Sequence, residues 1–231
     1  MPGSLVVVAS AAERDAVLRD LPAARRVRVG PYDAHRTDLA TVLVSGIGPA
    51  GAAAVTAAAL ATGTYTAVLN LGICGGFAGA ASIGDVVVAT DVVAADLGVE
   101  APEGWLGLSA LGWAEESLPV EPSLVQRAAD TLRARDLPVV TGPVLTLSSM
   151  TGTDARAAVL AERHGAVAEA MEGRGVAEAA LPYGASFLEI RTVSNAVGRR
   201  DRAAWEMGRA LDLLSVVAHA LLTEESPWSC R

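Results

Sequence analysis

Apolar residues occur along this chain in two rhythms. Short unbroken runs rich in Val and Leu, at 5–9, 67–71, 86–95, 139–147, 167–171 and 187–195, have the length and β-branched content of strands buried on both faces. Two further runs, 27–29 and 39–45, flank a Gly30-Pro31 turn. Between the runs, stretches at 11–21, 49–61, 123–135, 154–163, 173–181 and 203–222 read as helices, Ala-rich or with apolar residues at helical spacing. Ser10 is placed to cap the first helix and Pro22 to end it. Residues 96–119, with Pro102, Trp105, Gly107 and Trp113, interrupt the alternation and read as a long loop of the kind that binds or covers ligands. Strands alternating with helices predict an α/β fold whose mostly parallel or mixed sheet is covered on both faces. No linker or shift in composition divides the chain, so residues 1–231 read as one domain.

The run at 187–195 ends unusually. Phe187, Leu188, Ile190, Thr192 and Val193 suit a buried strand, yet Ser194, Asn195, Gly198, Arg199, Arg200, Asp201 and Arg202 follow directly. Open α/β folds build ligand sites at such polar strand ends. Arg191 lies inside the same strand and needs a partner, for which Glu172 and Glu13 are candidates. Glu172 sits at a strand-to-helix switch, where it either stabilises a helix N-terminus or accepts hydrogen bonds from a substrate hydroxyl. Strand alternation places Glu169 on the opposite face from Glu172. Glu13 alone reads as an ordinary first-turn acid. The Gly46-x-Gly48 and Gly72-x-x-Gly75-Gly76 stretches read as tight strand-to-helix turns, or as places where backbone N–H groups approach a ligand; neither is a phosphate-loop motif. The arginines at 199–202 form a solvated turn or an anion clamp. Trp105 and Trp113 either pack in the core or cover an aromatic ligand.

Composition narrows the classes. At 52% hydrophobic residues the chain can fill a sizeable core, and its net charge of −8 argues against nucleic acid and anionic membranes as partners. A small anionic substrate needs only a few local arginines. Cys74 and Cys230 lack CxxC spacing, and His35, His164 and His219 show no metal-ligand pattern, so neither a metal nor a cofactor is expected. Cys74 has no His/Asp partner set and reads as structural. The N-terminal segment lacks the positively charged start of a signal peptide, and no window reaches membrane-span length, which points to the cytoplasm.

Six motifs in order, VVVASAAE, VSGIGPAGAA, NLGICGGFAG, SIGDVVVATDVV, EAMEG and IRTVSNAVG, give the chain a resemblance over nearly its whole length to the purine nucleoside phosphorylase and nucleosidase superfamily. The resemblance implies a central mixed, partly barrel-like β-sheet flanked by helices, in a homodimer or larger homo-oligomer. It implies Glu13 as the water-activating acid, Met171 and Glu172 as ribose contacts, and Asn195, with Ser194 and Arg191 nearby, as the base-reading position. Gly75 and Gly76 would lie at the strand end beside the substrate, and Ser149, Met150 and Thr151 along the base.

Two departures narrow the resemblance. Asn70 stands where many phosphorylases of this fold carry a phosphate-binding arginine, so water is the implied nucleophile. Asn195 stands where adenine-specific nucleosidases carry Asp. An amide can donate to the 6-oxo group of hypoxanthine, which an ionised carboxylate would repel. Together with residues 96–113, 171–179 and 194–207, these features resemble the futalosine hydrolase family of the alternative menaquinone pathway. That family cleaves futalosine to hypoxanthine and dehypoxanthine futalosine. Its substrate carries an aromatic carboxylate on the 5′ side, for which Trp105, Leu106 and Leu108 would be a cover and Arg199, Arg200 or Arg202 a partner.

Overall fold

A computed structural model describes residues 3–63, 65–102 and 104–223; Cys230 lies outside them. The first strand, β1 (Gly3–Val8), runs into helix α1 (Ala11–Leu18). Then come β2 (Arg25–Val29), β3 (Tyr32–Arg36), β4 (Ala40–Val44), α2 (Pro49–Thr62), β5 (Tyr65–Gly76) and β6 (Val86–Ala94). A hairpin of β7 (Gly98–Ala101) and β8 (Gly104–Gly107) precedes β9 (Ser117–Pro119) and α3 (Pro122–Arg133). The rest is β10 (Val139–Thr146), α4 (Asp154–His164), β11 (Ala168–Ala170), α5 (Gly173–Ala180), β12 (Ser186–Ala196) and α6 (Met207–Thr223). No described helix is long and apolar enough to cross a membrane.

Strand pairing closes part of the sheet into a ring. In order, β11, β10, β6, β12 and β5 are neighbours, and β5 pairs back onto β11. From β5 the sheet also extends through β1, β4, β3 and β2 as an open wing. This is the mixed, partly barrel-like sheet expected. Ring and wing both depend on one edge of β5. Its first half, up to Asn70, pairs with β1; Gly75 and Gly76 near its end pair with β11. Between them the two neighbours diverge and leave a fork.

Helices cover both faces because each buries an apolar stripe. Ala16 and Val17 of α1, Val125, Ala128 and Leu132 of α3, and Leu214 and Val217 of α6 share one core cluster. Val55 and Ala59 of α2 and Val176 and Ala180 of α5 share another, with Leu5 and Val7 of β1. α2 and α5 approach closely at Gly175, where a Cβ would overlap the Pro49 carbonyl oxygen.

Three expectations are corrected. The YDAHR stretch, to which the pattern assigned no element beyond the Gly30-Pro31 turn before it, is a strand, β3, although its residues are mostly polar; it is held by antiparallel ladders to β2 and β4 on both sides. Residues 72–76 continue β5 and are not a turn into a helix. Residues 96–119 carry a hairpin and a strand, because Gly104, with φ of 120°, permits a reversal that lets two short strands pair. In addition, α1 stops at Leu18, and α6 starts at Met207 after a single 3-10 turn at Arg202–Ala204.

Gly175→Ala should lower stability by ~1–3 kcal/mol through overpacking of α2 against α5. An unchanged urea midpoint would contradict this packing.

Candidate active site

The fork holds the chain's buried acids. Glu13 is the third residue of α1, where Ser10 and Glu13 cap one another: the Ser10 hydroxyl accepts from the Glu13 N–H (3.2 Å), and the Ser10 N–H donates to Glu13 Oε2 (2.9 Å). Its other oxygen, Oε1, accepts the Ile73 N–H (3.0 Å), a donor in the part of β5 that neither β1 nor β11 pairs. Glu13 is thus both the capping acid and a wall of the site.

Glu172 follows β11 and occupies the N-cap position of α5, yet its side chain makes no cap. It turns instead to the Gly48 N–H (3.1 Å at Oε1) and to Arg191 Nη1 (3.3 Å at Oε2). Gly48, with φ of 101°, presents that N–H from the turn before α2.

Arg191 of β12 is 1% exposed, and each of its three nitrogens meets a partner. Its Nε donates to Glu189 Oε1 (2.8 Å), its Nη2 to Asn70 Oδ1, and its Nη1 faces Glu172. Burial alone would lower its pKa; Glu189, Glu172 and Glu13 outweigh burial and raise it, so the guanidinium stays charged. Glu189 is fully buried, and that burial raises its pKa against the pull of Arg191. The glycines expected in a turn serve here as room. A Cβ on Gly72 would lie 2.5 Å from Glu13 Oε1 and 2.7 Å from Arg191 Nη1.

Above this network lies a cavity of about 250 Å³. Glu13, Ile73, Met150, Glu169, Met171, Glu172, Ser194 and Asn195 all line it. Ile47, Trp205 and Met207 are also part of the wall. A larger hollow, of about 500 Å³ between β9, α3 and the start of β12, contains none of these acids. Asn195 is oriented from both ends. The Ser194 hydroxyl lies 2.8 Å from its Oδ1, and its Nδ2 donates to the Ala196 carbonyl (3.0 Å). The Cys74 thiol is buried and its pKa is pushed up to about 12 by that burial, which suits a structural residue and not a nucleophile.

The structure therefore brings together Glu13, Glu172, Arg191, Asn195, Met171, Ser194 and Met150. Gly75 lies beside Asn195, paired with it across β5 and β12, while a Cβ on Gly76 would strike the Ala81 carbonyl at 2.6 Å. Thr151 gives its N–H to Glu169 (3.0 Å). Ser149 is exposed and faces Asp96 through its N–H. Arg200 lines an adjoining cavity that shares Met150, Asn195 and Trp205 with the first, and its guanidinium stacks over Trp205 at 5.5 Å. Trp105 is not on the acid-lined cavity; it lines a separate one with Arg163, whose guanidinium sits 5.8 Å from its ring. Glu169 was expected on the face opposite Glu172, but β11 ends at Ala170 and the chain bends there, so both acids reach the same cavity. Sequence reasoning also missed Glu189 and Trp205. The Glu-x-Arg spacing inside a buried strand was the available signal for Glu189, since alternation puts both side chains on one face.

The chain is similar in sequence and fold to known proteins. The profile of the phosphorylase superfamily matches residues 4–224. The chain belongs to the phosphorylase superfamily. Within it, the chain is 48% identical to a futalosine hydrolase of Streptomyces coelicolor, covering 97% of both chains. It is 46% identical to one of Acidothermus cellulolyticus, over 97% of this chain and 91% of the other. The native structure of futalosine hydrolase of Helicobacter pylori superposes with a TM-score of 0.84 at 16% identity, covering 95% of this chain and 96% of that one; at this identity the likeness is one of fold.

Gly72→Ala should displace Glu13 and Arg191 together and lower stability by ~1–3 kcal/mol. Thermal unfolding checks this, and a wild-type melting temperature would contradict the close approach.

Proposed function

We propose that the chain hydrolyses the N-glycosidic bond of futalosine, releasing hypoxanthine and dehypoxanthine futalosine. The observation that carries this is the single cavity lined by Glu13, Glu172 and Asn195 and backed by Arg191, in a chain nearly half identical to proteins named futalosine hydrolase.

Cleavage passes through an oxocarbenium-like ribosyl state. Glu13, its carboxylate steadied by Ser10 and Ile73, orients and deprotonates water. Glu172 accepts hydrogen bonds from the ribose hydroxyls and sets negative charge beside the developing cation. Arg191 touches no substrate atom and acts as a positioning residue through Glu172. Met171 packs against the sugar and Met150 against the base, where Asn195 Nδ2 donates to the 6-oxo group.

Water, not phosphate, is the nucleophile. Asn70 is fully buried and committed at both ends: its Oδ1 accepts from Arg191 and its Nδ2 donates to the Val7 carbonyl (3.0 Å). Nothing at that position is free to hold an anion. Arg200 and its neighbours open off the Asn195 end, as a candidate seat for the carboxylate of the substrate. The exposed Ile47, Met150 and Met207 at the cavity rim would be covered in a homodimer or larger assembly. We place the enzyme in the cytoplasm, as a single domain and in the alternative menaquinone pathway.

Futalosine incubated with the protein should yield free hypoxanthine at the same rate with and without phosphate, read by chromatography; a phosphate requirement overturns the hydrolase assignment. Glu172→Gln should lower kcat about 10²-fold, and unchanged turnover would remove its assigned role. Asn195→Asp should shift preference from a 6-oxo towards a 6-amino nucleoside by ~1–3 kcal/mol, a factor of about ten to a hundred in relative kcat/KM.

A further inference from the structure

The mechanism above leaves one step without a residue. Hypoxanthine departs readily only if a ring nitrogen gains a proton as the bond to the sugar breaks. Asn195 replaces the carboxyl group that could supply it, since an amide has no proton to give up as an acid. Its Oδ1 is moreover engaged by the Ser194 hydroxyl, and its Nδ2 faces the 6-oxo group in the reading above.

Glu169 meets this need by position. It pairs with Gly75 across β11 and β5, and Gly75 pairs with Asn195 across β5 and β12. Directly paired residues project to one face of a sheet, so the three form a row with Glu169 and Asn195 at its ends. The central glycine has no side chain to fill the space between them. A Cβ there would lie 3.2 Å from Asn195 Nδ2 and 3.6 Å from Glu169 Cγ. Glu169 is 2% exposed and lines the cavity. Its Oε1 accepts the Thr151 N–H (3.0 Å), while its Oε2 has no hydrogen-bond partner among the described residues. A buried carboxyl oxygen without a partner, at the wall of a ligand cavity, calls for a ligand atom.

We propose that Glu169 is the general acid of the reaction, its protonated Oε2 donating to N7 of the departing hypoxanthine. The proposal rests on the hydrolase reading above. As the C1′–N9 bond breaks, its electron pair passes into the purine ring, and N7 takes the proton from Glu169, which is left as a carboxylate. The water oxygen bonds to C1′ and gives a proton to Glu13. Glu13 later releases that proton to solvent, and Glu169 regains one, so the sum is substrate plus water to sugar product plus hypoxanthine. The microenvironment agrees: burial raises the pKa of Glu169 and favours the protonated carboxyl, against the pull of neighbouring Thr151 and of the Arg156 charge.

The test compares the wild type with Glu169→Gln and Glu169→Asp. Gln keeps the shape and the acceptor for the Thr151 N–H but holds no acidic proton. Glu169→Gln should lower kcat for futalosine about 10²-fold or more with little change in KM, the size expected for a lost general acid. Its loss on p-nitrophenyl β-D-ribofuranoside, whose leaving group departs without a proton, should stay within about threefold. Glu169→Asp, which restores an acid, should recover part of the rate on futalosine. Wild-type kcat in Glu169→Gln, an equal loss on both substrates, or a Glu169→Asp variant as slow as Glu169→Gln would each overturn the proposal. A wild-type protein that releases no hypoxanthine at all would instead defeat the functional reading, a result visible before any variant is made.

Discussion

A guanidinium without water organises this molecule. Arg191 stands in the middle of a strand flanked on both sides by other strands, where an unpaired charge would cost several kcal/mol. It is tolerated because Glu189, Glu172 and Asn70 meet its nitrogens and Glu13 lies within electrostatic reach. Meeting that need fixes the strands to one another, because its partners come from β5, from β12 itself and from the start of α5. It also forces Gly72, since any side chain there would occupy the space of the carboxylate and the guanidinium. The same acids then face the cavity. Satisfying a buried charge and assembling the candidate site are one act in this fold.

The second constraint is the divided edge of β5. Two strands share it, and where they part the sheet cannot close its own hydrogen bonds. The Ile73 N–H in that gap is taken by Glu13, so an interruption in pairing becomes a point of attachment for a side chain. The fork also separates two sets of side chains. Residues that follow β1 and β11 supply Glu13 and Glu172, and the last pairings of β5 set Glu169 and Asn195 either side of Gly75. Glu169, Glu172 and Asn195 lie at or just beyond the ends of ring strands, which gives them a rigid support.

Much of this was legible from residue order. Buried strands announced themselves as apolar runs, and Arg191 inside one of them was anomalous enough to call for acids, with Glu172 and Glu13 as candidates. The misses share a cause: they are places where pairing overrides local preference. β3 is polar because its ladders, not its burial, hold it in place. Residues 72–76 look like a turn since glycine is common in turns, yet here glycine makes room for charges arriving from neighbouring strands. Glu169 was assigned to the wrong face because alternation was carried two residues past the end of a three-residue strand, to Glu172.

Sequence by itself determined the alternation of strands and helices, the presence of a buried arginine in need of acids, and a burst of polar residues at the end of its strand. These follow from patterns a few residues long, in which hydrophobicity and charge act locally. Only the tertiary structure decided which acids meet the arginine, that Glu189 is among them, that Trp105 lies on another cavity, and that Glu169 shares a row with Asn195. Those outcomes depend on register between strands far apart in the chain, and register is settled by the closing of the sheet.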